Sequence, residues 1–92
     1  MNINERLKEL YIAVDNLSFT KKYLFGCLSE LEALGRTNSQ EARQIKKNIE
    51  TVDHNIKMVN KKIEELENEL IEEELDIEFN NELIGNYTLH TY

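Results

Sequence analysis

The chain has no proline and no tryptophan, only three glycines, a single cysteine, and no lysine or arginine after Lys62. A turn-rich β fold would need turn residues that are scarce here, whereas long uninterrupted helices are permitted. One cysteine, Cys27, rules out an internal disulfide, and a lone thiol suits a reducing compartment. No stretch approaches the roughly 20 consecutive apolar residues of a membrane span. The opening Met1-Asn2-Ile3-Asn4-Glu5-Arg6 lacks the basic start and apolar run of a secretory signal. The expectation is a cytoplasmic protein, in a bacterium or a virus-infected host cell, with no membrane partner. The proline-free, Asn/Ile/Lys/Glu-rich composition suits an AT-rich bacterium or its phage.

What is present is periodicity. Over residues 45–70 the apolar side chains are Ile45, Ile49, Val52, Ile56, Val59, Ile63, Leu66 and Leu70, spaced alternately four and three apart. This is a heptad seam, with Ile49, Ile56, Ile63 and Leu70 at a and Ile45, Val52, Val59 and Leu66 at d. Nearly everything between them is charged or amide, so the helix carries one narrow stripe that must meet another helix. The first third repeats the pattern with Ile3, Leu7, Leu10, Val14, Leu17, Lys21, Leu24, Leu28 and Leu31, interrupted once by Lys21. A lysine at an a position either specifies register or runs its ammonium to the edge of the seam.

The punctuation agrees. Asn2 with Glu5 three residues on, or Asn4, caps the first helix, and Gly35 after Leu34 is a left-handed stop. Asn38 with Glu41 reads as the capping box of the second helix, with Thr37 and Ser39 as alternative caps. So short a connection forces an antiparallel return. The expected fold is all-α: an antiparallel two-helix hairpin with helices over 3–34 and 39–76 and a loop over 35–38. The hairpin core is thin at this size, so dimerisation into a four-helix bundle is expected, with Leu24, Leu28, Ile49, Val52, Ile56, Val59 and Ile63 as the self-association residues. After Leu70 the heptad slips, and Asn80-Asn81, Gly85-Asn86 and the β-prone end from Tyr87 predict an irregular or strand-forming tail over 77–92.

The net charge of −7 is unevenly placed. Residues 64–82 hold ten acids and no base, while residues 1–63 hold all eleven bases against eight acids. The acidic set comprises Glu64, Glu65, Glu67, Glu69, Glu72, Glu73, Glu74, Asp76, Glu78 and Glu82. Carboxylates at this density, interleaved with Leu66, Leu70, Ile71 and Leu75, suit a protein partner with a basic surface, or imitate a phosphate backbone. The first helix also has more apolar surface than one stripe can cover. Ile12, Phe19, Tyr23 and Gly26, spaced seven, four and three, form a second face. That face is either buried in a dimer or exposed as a docking patch.

Chemistry is poorly represented. Glu50 and His54, one turn apart, could share a metal ion, but they point away from the seam and read as solvated surface. Arg43, Lys47, Lys57 and Lys61 line one face, which Glu50 interrupts, so direct nucleic-acid binding is not expected. No phosphate-binding loop, nucleophile triad or cofactor motif occurs. Ser39-Gln40-Glu41 matches three positions of the Ser-Gln-Glu-Leu-Asp motif of small sporulation Asp-phosphatases. Ala42-Arg43 then depart from it, and the resemblance is set aside. The function expected is therefore a non-enzymatic protein-binding regulator or inhibitor, without metal or cofactor, acting through Ile12, Phe19, Tyr23 and the acidic residues. The alternative is a coiled-coil adaptor whose activity is self-association.

Overall fold

The computed structural model describes residues 2–90, with side-chain surroundings described through Leu75. Two helices make up its regular structure, α1 over Ile3–Ala33 and α2 over Gln40–His90, and they pack against each other as a hairpin. There is no strand among the described residues.

Both helix starts are capped by a side-chain oxygen. The Asn2 side chain accepts a hydrogen bond from the Glu5 amide at 2.8 Å, one of the donors that no carbonyl within a helix can satisfy. At α2 the cap is Ser39, whose hydroxyl accepts from the Ala42 amide at 3.1 Å and donates to the Arg36 carbonyl at 2.9 Å. Ser39 is one of the two alternative caps the sequence offered; Asn38, read first for that role, lies one residue too early. The end of α1 is a Schellman closure. The Arg36 amide donates to the Leu31 carbonyl at 2.8 Å and the Gly35 amide to the Glu32 carbonyl at 3.0 Å. Gly35 takes φ +76°, the left-handed conformation this closure requires.

The two seams face each other along their whole predicted length. Toward the open end, Leu7 packs with Ile63 and Leu66, flanked by Ile3, Leu10, Val14, Val59 and Leu70. Toward the loop, Leu28 packs with Ala42 and Ile49, flanked by Leu24, Leu31 and Ile45. Ala42 is fully buried. It lies seven residues before Ile49 in the a series, and an alanine there lets the helices close together next to the turn.

Between these clusters the seam is polar at its edge. The Lys21 ammonium reaches across to Asp53 at 2.7 Å, and Lys57 approaches the same carboxylate at 3.2 Å. Lys21 thus sits at an a position with its hydrocarbon stem in the seam and its charge on the neighbouring helix.

The helices are unequal. α1 has 31 residues and α2 has 51, a difference of about 30 Å at 1.5 Å per residue. Because Ile3 and Leu70 share one end of the seam, α2 runs on past the start of α1, and the molecule is a rod of 82 × 22 × 14 Å. The helix end expected near residue 76 does not occur: the backbone stays helical to His90, where an irregular or strand-forming tail was expected. Helix propagation explains this. Without proline, each further residue adds a hydrogen bond to an existing nucleus, and Asn80, Asn81 and Gly85 oppose it by only tenths to about 1 kcal/mol each. Thr91 and Tyr92, part of the same expectation, lie outside the described residues.

Candidate interaction surfaces

Two surfaces remain once the hairpin has formed. The first is the side of α1 turned away from α2. At 100° per residue, Ile12, Phe19 and Tyr23 lie nearly opposite the Leu7–Leu28 stripe, and they are 53%, 74% and 66% exposed. Among the described residues, nothing covers the second apolar face. Tyr11 and Phe25, which flank the seam rather than this face, are also exposed. The neighbouring Cys27 thiol, with the Glu30 carboxylate nearby, raises the Tyr23 phenol above its ordinary pKa.

The second surface is the acidic end of α2. Its residues do not behave alike. Glu67 accepts a hydrogen bond from the Tyr11 hydroxyl at 2.8 Å, which fastens the two helices at the open end and raises the Tyr11 pKa. Glu65 lies 3.8 Å from Lys62 on its own helix. Glu64, Glu69, Glu72, Glu73 and Glu74 are exposed. The last three stand beyond the seam, beside the exposed Ile71 and Leu75. Asp76 and Glu78 continue the helix, but their side chains lie outside the described residues. A shallow groove at the base of this projection is lined by Lys8, Tyr11 and Ile12 of α1 and by Leu70 and Ile71 of α2, so the two surfaces meet there.

The residues expected to mediate self-association are placed in the intrachain seam. Leu28, Ile49 and Ile63 are buried, Leu24 and Val59 are half-buried and packed against the two clusters, and Val52 and Ile56 are half-buried. Lys21 is the site residue that the seam pattern exposed without supplying its partner. The signal for Asp53 was an acid at the e position, adjacent to the stripe.

Among the described residues no group of three or more His, Cys, Asp or Glu side chains is placed to hold a metal ion. The Asp53 carboxylate, beside His54 in sequence, is already held by two ammonium groups, and hydrogen bonds from Lys21 and then Lys57 keep its pKa below the ordinary value. No described helix is long and apolar enough to cross a membrane. No family model, curated protein or solved structure matches the chain.

Proposed function

We propose that this protein is a non-enzymatic binding module, a small regulator or inhibitor, that engages a protein with a basic surface through the projecting end of α2. The observation that carries this reading is the overhang itself. Residues 71–90 extend the helix past the α1 start, and they contain six carboxylates and no lysine or arginine. Carboxylates displayed on a rod draw a basic surface into encounter, and Ile71 and Leu75 add apolar area once the charges have aligned it. The same charge density on a narrow cylinder is how a helix imitates a nucleic-acid backbone. A target that normally binds DNA or RNA fits this reading, as does a phage origin acting in a bacterial cytosol.

The test is capture with the intact protein and with the Glu72→Lys/Glu73→Lys/Glu74→Lys variant as baits, at low and high salt. The partner should be retained by the intact protein, released as salt rises, and lost from the variant while helicity by circular dichroism is unchanged. Equal capture by both baits would rule the electrostatic reading out.

A second reading, a coiled-coil adaptor whose activity is self-association, is supported by the thinness of the core. Six apolar residues are buried among those described, and no large side chain is completely enclosed. On that reading Ile56→Asp abolishes assembly and function together, while the charge reversals are silent.

A further inference from the structure

Gly26 lies within the exposed stripe of α1, and a Cβ built there would meet nothing within 4 Å. Mid-helix glycine weakens a helix, and no contact among the described residues requires it. Its neighbours on the stripe are Phe19 and Tyr23, both exposed. A missing side chain beside large uncovered apolar ones is suited to the close approach of another helix.

The stripe is also complementary to its own reverse. Counting outward from Phe19, Asp15 and Tyr23 stand four residues away, Ile12 and Gly26 seven, and Lys8 and Glu30 eleven. Lys8, Asp15 and Glu30 are all exposed. We propose that this face of α1 pairs antiparallel with the same face of a second copy, about a two-fold axis passing at Phe19. Ile12 then fills the space over the partner's Gly26, Lys8 meets the partner's Glu30, and Asp15 lies opposite the partner's Tyr23. Two-fold symmetry makes each of these contacts twice.

Charge selects the direction. A parallel pair would set Lys8, Asp15 and Glu30 each against its own copy and bring the two acidic overhangs side by side. The antiparallel pair replaces the Lys8–Lys8 and Glu30–Glu30 contacts with two Lys8–Glu30 salt bridges, sets Asp15 against Tyr23 instead of its own copy, and sends the overhangs out of opposite ends of the assembly. The dimer then offers two separated acidic ends, so a partner with two basic sites would gain from avidity.

The experiment is sedimentation equilibrium of the full chain and four variants, with circular dichroism as the folding control. The intact protein should be a discrete dimer. Phe19→Asp should be a helical monomer, because Phe19 is mostly exposed within its own chain. Gly26→Leu should weaken the dimer by about tenfold or more with the hairpin intact. Lys8→Glu should weaken it by a similar factor, and Lys8→Glu/Glu30→Lys should recover it, since the reversed pair restores opposite charges across the axis. A monomeric intact protein, a dimer indifferent to Phe19→Asp, or no recovery in the double variant would each overturn the proposal. None of these substitutions touches the overhang, so this proposal and the partner-capture reading stand or fall separately.

Discussion

Up to Leu70, α2 lies against α1 and every fourth or third side chain is covered; past Ile71, which still borders the groove against α1, the same helix runs on beyond the start of α1. The two parts are built from similar residues. Leu66 and Leu75 are both leucines in glutamate-rich surroundings, yet Leu66 is buried and Leu75 is exposed. The difference is register. Leu66 continues a spacing that α1 matches, whereas Leu75 falls on another face and stands beyond the point where α1 begins. Helical structure needs only local hydrogen bonds and persists without a partner in sequence reach, but burial requires two chains of side chains in phase.

The comparison breaks most sharply under core truncation. Leu66→Ala should cost about 2–4 kcal/mol in urea denaturation, while Leu75→Ala should stay within about 0.5 kcal/mol of the parent. Comparable losses at both positions would mean that the overhang packs against something. The loop end sets the register, so Gly35→Ala and Ser39→Ala test it next. The first forces an alanine into the left-handed conformation and the second removes the α2 cap, each at about 1 kcal/mol, read from the same denaturation curves. Ending the chain at Leu70 should lower total helicity yet leave the urea midpoint of the hairpin nearly in place. A large drop in the midpoint would show that residues beyond the seam support it.

The smallest effect concerns the polar break in the middle of the seam. The Asp53 carboxyl titrates below its ordinary value of 3.8 because Lys21 and Lys57 hold the ionised form. A carboxylate with a depressed folded pKa contributes stability that is complete above the unfolded pKa and is lost as pH falls through the folded one. Acid denaturation of the parent should therefore include a component below about pH 4 that Asp53→Asn removes. Superimposable acid curves would mean that this ion pair contributes nothing measurable, as many exposed pairs do.

Much of this was legible in the linear chain. Each of the seventeen seam positions read from the 4–3 spacing is buried or half-buried, because a stripe of that period on a helix has only one place to go. Asn2 and Gly35 were equally readable, since an N-cap and a left-handed stop depend on neighbours within one turn. Ala42 escaped because alanine is a weak hydrophobic signal, and its burial comes from proximity to the turn. Ser39 displaced Asn38 as the cap because an Arg36–Ser39 turn set the helix start one residue later. The helical backbone over 77–90 was misread because Asn, Gly and β-prone residues were counted as stops, although none of them blocks a growing helix as proline does.

Sequence alone therefore determined the two helices along the seam, their antiparallel pairing and the concentration of negative charge after Lys62, all of which follow from residue type and local spacing. Tertiary structure decided where the ammonium of Lys21 came to rest and how far α2 projects. Those outcomes depend on the phase between two helices joined by a short turn. A shift by one heptad would preserve the apolar pattern of both, but it would separate Lys21 from Asp53 and change the length of acidic helix left standing alone.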